Sequence, residues 1–98
     1  MFRVSFSRDA DQDIDSKLNY IAVDSPASAL SFVDRLETKV LSLLSSPPSA
    51  GRQLGKARFV AFGNDIVAHL VDERSVTVVL VSEGHRHWQK LLEDRQPS

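Results

Sequence analysis

The chain opens on an alternation, Phe2, Val4 and Phe6 with Arg3 and Ser5 between them, the two-residue period of a half-buried strand. Ser7 follows with a side-chain oxygen suited to capping a helix, and Asp9 and Asp11 suit the positive end of that helix's dipole. Ala10, Ile14, Leu18 and Ile21 then recur at helical spacing, which predicts a first helix ending near Val23. Ser25-Pro26 predicts a second start, because proline at the first helical position forfeits no hydrogen bond. Behind it Ala29, Val33, Leu36, Val40 and Leu43, flanked by Leu30, Phe32 and Leu44, form a broad apolar stripe that Pro47 and Pro48 bring to a stop. Two helices so closely joined make a helical hairpin, which needs a common surface to cover.

The segment "SSPPSAGRQLGKA" reads as a loop, and three apolar runs follow it: "ARFVAF", "DIVAHLV" and "SVTVVLVS". Gly63-Asn64 is a two-residue hairpin signal between the first two, and "DERS" turns the chain between the second and third. The expectation is an α+β domain spanning 1–98: a strand, a two-helix hairpin, then a three-stranded antiparallel meander forming one small sheet. Simple alternation puts Val76, Val78 and Leu80 on one face of the last strand and Val79 and Val81 on the other. Only one face fits under the helices, so the other must be covered by the C-terminal segment or by a partner chain. Trp88, Leu91 and Leu92 have the spacing of a short closing helix, with 93–98 expected as a flexible tail.

Charge narrows the partners. The net charge is −1, whereas proteins that grip nucleic acid through many phosphates carry a basic excess, so direct DNA binding is not expected. The first fifty residues hold five Lys/Arg and seven Asp/Glu, the remainder seven and six, a slight lean of anionic partners towards the C-terminal half. With no cysteine, disulfides and thiolate chemistry are excluded. The N-terminus lacks the apolar stretch of a signal peptide and no segment is long enough to span a bilayer, giving the expectation of a soluble cytoplasmic protein.

Side-chain chemistry is densest in "EGHRHWQKLL", Glu83 through Leu92. His85 and His87 are two apart, a spacing that points them away from one another on a strand or a helix and does not favour a shared metal ion. No metal or other cofactor is expected. Proton transfer by His69, His85 or His87, with Arg86 on a phosphate, is an alternative to a solvated strand exit. No nucleophile or second carboxylate is fixed nearby, which favours the solvated exit. His69, between Ala68 and Leu70, reads as a sheet histidine, and Asp9, Asp11, Asp13 and Asp15 as a solvated helix face.

The order of these parts resembles the RelE/ParE superfamily of type II toxins. The resemblance is carried by Tyr20-Ile21-Ala22 before Ser25-Pro26, a second helix ending in prolines, three strands and the late Gly84-x-Arg86-x-Trp88. It implies the fold derived above and neutralisation by a cognate antitoxin, ParD-like and DNA-binding. RelE-like members are ribosome-dependent mRNA endonucleases with basic residues on the central strands. Where they tend to carry arginine, tyrosine and arginine, this chain has Ile66, His69 and Leu70. The resemblance is therefore closer to the ParE-like branch, whose members are understood to inhibit DNA gyrase without cutting RNA. It implies target or antitoxin contacts at Arg86 and Trp88 and no catalytic residue, and the uncovered apolar surface adds Leu30, Leu44, Val79 and Val81 as expected antitoxin contacts. Glu83-Gly84-His85-Arg86 departs from the His-Gly-Arg-Arg common in that branch, which keeps open a degenerate toxin that only binds its antitoxin.

Overall fold

The computed structural model describes residues 3–43, 51–84 and 87–96. Ser7 caps the first helix as its chemistry suggests, its hydroxyl accepting from the Ala10 N–H at 3.1 Å, a contact worth about 1 kcal/mol. Ser25 does the same for the second helix through the Ser28 N–H at 3.2 Å. Strand β1 (Arg3–Phe6) thus runs into helix α1 (Arg8–Asp24), and a single residue separates α1 from α2 (Pro26–Leu43).

Four strands follow: β2 (Arg52–Leu54), β3 (Ala57–Phe62), β4 (Asp65–Val71) and β5 (Ser75–Glu83). They join β1 in one five-stranded sheet of order β1-β5-β4-β3-β2. The meander is antiparallel throughout, and β1 pairs in parallel with β5. The sequence reading anticipated this α+β architecture but not β2, whose three residues fall in the segment read as loop. Gly55 makes β2 possible: its φ of 62° allows a tight turn, and a Cβ there would lie 2.6 Å from the Gln96 side chain. Gly63, at φ 59°, begins the β3–β4 turn as expected.

The sheet has two covered faces. On one, α1 and α2 bury Ala10, Phe32, Leu36 and Val40 against Phe62, Val67, Val78 and Val81. On the other lies a third helix, α3 (Trp88–Arg95), whose Trp88 and Leu92 pack on Ala57, Ala68, Val79 and Leu80. Trp88 meets Phe59 with ring centroids 4.6 Å apart. The face left open by the sequence reading is therefore closed by the chain itself.

Which side chains point where is decided by a bulge. Ala68 pairs with Leu80 and His69 with Val78, so Val79 has no opposite number on β4. The extra residue resets the alternation. Val78 and Val81 face the helical hairpin and Val79 and Leu80 face α3, which corrects the grouping of Val76, Val78 and Leu80 against Val79 and Val81.

The bulge lies where β1 ends, so no strand pairs with that edge of β5 beyond Val78 among the described residues. Two side chains take a strand's place. Asp13 Oδ2 accepts from the Val81 N–H at 3.0 Å, and Arg95 Nη1 donates to the Val79 carbonyl at 3.0 Å. The two are joined by bonds of 2.7 and 3.2 Å, a two-point guanidinium–carboxylate pair that ties α3 to α1 across the sheet edge. The hydrogen bond to Asp13 raises the Arg95 pKa further above its ordinary value, desolvation opposing it. Glu93 through Arg95, expected to start a tail, form the last turn of α3. Gln96 then grips the β2–β3 turn, donating to the Leu54 carbonyl at 3.1 Å and accepting from the Lys56 N–H at 2.8 Å.

Candidate functional site

Acid–base chemistry would need the histidines on one surface, and the fold separates the two that can be placed. His69 is 0% exposed in β4, opposite Arg58 on one side and Val78 on the other. Alternation with Val67 puts it on the helical-hairpin face of the sheet. His87 is exposed and precedes α3, which covers the opposite face. His85 and Arg86 lie outside the described residues. Among the described residues no cluster of ligating side chains suits a metal ion.

The positions where the resemblance contrasts this chain with ribonucleases have a clear geometry. Ile66 and Leu70, with Ala68 between them, belong to the apolar cluster beneath α3. That sheet face offers side chains to Trp88 and Leu92, not cations to a phosphate.

The expected contact residues divide sharply. Val79 and Val81 are buried at 5% and 6% exposure in the two cores, which removes them from any surface of the isolated chain. The reason is the bulge together with α3: one turns each valine inwards, and the other closes the second face. Trp88, at 6%, is an internal anchor of α3. Leu44 lies outside the described residues. Of this group, Leu30 alone among the described residues is an exposed surface residue, at 71%.

Leu30 has company that was not among the expected contacts. Tyr20 and Val23, near the end of α1, are 72% and 85% exposed, and Leu41 on α2 is 62% exposed. With one residue between the helices, Tyr20, Val23 and Leu30 gather about the tip of the hairpin. The signal was present in the chain, since Tyr20, Val23 and Leu41 lie off the stripes that begin at Ala10 and Ala29. Large apolar side chains off the buried stripe of an amphipathic helix mark a second surface.

Beside that tip runs a groove of 380 Å³ between α1 and α3, bounded by Ser16, Tyr20, Ser82 and Leu91. One wall is polar: Lys17 Nζ lies 3.2 Å from Asp65 and 3.6 Å from Glu83. Glu83 therefore has a structural partner on α1, a use that its position in the sequence did not reveal.

Comparison with known proteins places this geometry. The family model described as "ParE toxin of type II toxin-antitoxin system, parDE" matches residues 4–88. Among solved structures, a chain described as "Chromosomal ParDE TA system from P. aeruginosa" superposes with a TM-score of 0.73 at 16% identity, covering 85% of this chain and 96% of that one. No curated protein matches the sequence significantly.

Proposed function

We propose that this chain, which belongs to the ParE toxin family of type II toxin–antitoxin systems, inhibits DNA gyrase by binding it and is silenced by a ParD-like antitoxin. The observation that carries the proposal is the apolar seal under α3. Transition-state stabilisation of a cleaving phosphate requires preorganised donors or cations aimed at it. Here Ile66, Ala68 and Leu70 pack beneath Trp88 and Leu92, and the buried His69 faces the other way. This arrangement supports action by contact. The exposed hairpin tip supplies the contact surface, and an antitoxin segment that covers Tyr20, Val23 and Leu30 would bury about 1.5–3 kcal/mol of apolar side chain at each before ordering costs.

The experiment pairs two assays on one preparation. Supercoiling by purified gyrase falls when the chain is added and recovers when the antitoxin is added, while mRNA on ribosomes stays intact. Cleaved mRNA with unimpaired supercoiling would instead establish the endonuclease alternative. No effect in either assay, with the antitoxin still bound, would establish a toxin reduced to antitoxin binding.

A further inference from the structure

Acidic and basic side chains are unevenly distributed, although α2 itself carries Asp34 and Glu37 beside Arg35 and Lys39. Helix α1 carries Asp9, Asp11, Asp13, Asp15 and Asp24 against Arg8 and Lys17, whereas residues 38–64 carry Lys39, Arg52, Lys56 and Arg58 with no acid at all. The sheet order keeps them apart, with α1 packed on β5 next to the β1 edge and β2–β3 forming the opposite edge. Between α2 and β3, on the basic side, lies an open trough of 510 Å³. Its floor is Phe62 and Gly63 and its helical wall is Asp34, Arg35, Thr38, Lys39 and Ser42, so two cations stand beside one carboxylate.

Two features make this trough more than a solvated face. Lys17 and Arg95 are spent on carboxylates within the fold, but neither Arg35 nor Lys39 has a carboxylate partner among the described residues. Arg35 is nevertheless held in place, its guanidinium carbon 6.0 Å from the Phe32 ring centroid and 5.8 Å from that of Phe62. A guanidinium laid on aromatic rings keeps its N–H edge for a carboxylate. Lys39 stands one helical turn further on, roughly 6 Å away. The hydroxyls between them do not compete, since Thr38 and Ser42 donate back to the carbonyls of Asp34 and Lys39.

We infer that the α2–β3 trough is a docking surface for an acidic, amphipathic peptide segment of a partner protein. Carboxylates one helical turn apart, or on alternate residues of a strand, would reach Arg35 and Lys39 while an apolar side chain rests on Phe62. A nucleic acid fits less well: two free cations neutralise few phosphates, and the net charge of −1 opposes a polyanion. The trough shares no lining residue with the hairpin tip.

The test is an amide chemical-shift titration of the full ¹⁵N-labelled chain with synthetic peptides in which glutamate and leucine alternate or recur at helical spacing. Lysine–leucine peptides and a single-stranded oligodeoxynucleotide serve as comparisons. The acidic peptides are expected to shift Arg35, Lys39, Phe62 and Gly63 saturably, more weakly as salt is raised. The doubly substituted R35E/K39E chain should bind them about tenfold more weakly or worse. R35Q/K39Q, checked for unchanged melting, separates charge from any loss of fold. Absence of shifts at these amides, or equal binding by the variants, overturns the proposal. So does equal binding of the oligonucleotide, which would make the trough a general anion site. Concentration-dependent self-association lost in R35E/K39E would also overturn it, by giving the trough to the acidic α1 of a second copy.

Discussion

Asp13 and Arg95 do at one point what a sixth strand would do along a whole edge. Their side chains are 17% and 14% exposed, and between them they satisfy the Val81 N–H, the Val79 carbonyl and one another. Removing Asp13 leaves the Val81 N–H without its partner and Arg95 with only the more distant Asp9 carboxylate, 3.9 Å away. Asp13→Ala is therefore expected to cost about 2–3 kcal/mol in urea denaturation, towards the lower side for a buried pair because water still reaches it. Asp13→Asn, which can still accept from Val81, should cost less. Asp72 is a different case, a fully exposed turn residue. The Arg74 N–H, with further help from Ser75, lowers its carboxyl pKa below the ordinary value. A lowered pKa contributes stability above the unfolded value and loses it as pH falls through the folded one. The melting temperature should therefore drop on acidification below about pH 4, and Asp72→Asn should remove Asp72's share of that drop. At this scale the sequence was legible where the chemistry is local. Ser7 and Ser25 announce their caps within three residues, whereas the partners in the Asp13–Arg95 pair are 82 residues apart and only the sheet edge brings them together.

The elements were legible for the same reason, up to the point where one departs from its period. Both hairpin helices, three strands of the meander and the closing helix follow from stripes and alternation. The bulge does not, because in "VTVVLV" every position from Val78 to Val81 is apolar and either phase of the alternation looks equally good. Its consequence is testable with two matched substitutions. Val81→Asp puts a charge into the core beneath α1 and α2 and should leave the isolated chain unfolded by circular dichroism. Leu30→Asp, on an exposed position of α2, should change stability by about 0.5 kcal/mol or less and instead weaken antitoxin binding in calorimetry. A folded Val81→Asp chain would mean that this residue faces solvent and that the phase of β5 is wrong. For α3 the expectation is equally direct. Trp88→Ala removes its main anchor on Phe59 and the sheet, and should cost about 3–5 kcal/mol by denaturant titration.

At the scale of the whole molecule, the chain covers both faces of its sheet, and among the described residues the most exposed large apolar side chains lie on the helical hairpin. The sequence pointed to a surplus apolar surface and divided it between the sheet, at Val79 and Val81, and the helices near Leu30 and Leu44; the sheet share was misplaced because a helix of eight residues with one tryptophan and two leucines gives a weak signal beside a run of valines. Moving that surface to Tyr20, Val23, Leu30 and Leu41 changes where partners are sought without changing the kind of action expected. An inhibitor that works by contact is consumed one molecule per target, whereas a nuclease acts many times over. The decisive measurement is therefore a titration of gyrase-catalysed supercoiling with the purified chain at enzyme concentrations above the dissociation constant. The account predicts inhibition that saturates at a fixed stoichiometric ratio to gyrase and is reversed by antitoxin. Supercoiling untouched by a folded, monodisperse chain that degrades ribosome-bound mRNA at substoichiometric amounts would contradict it.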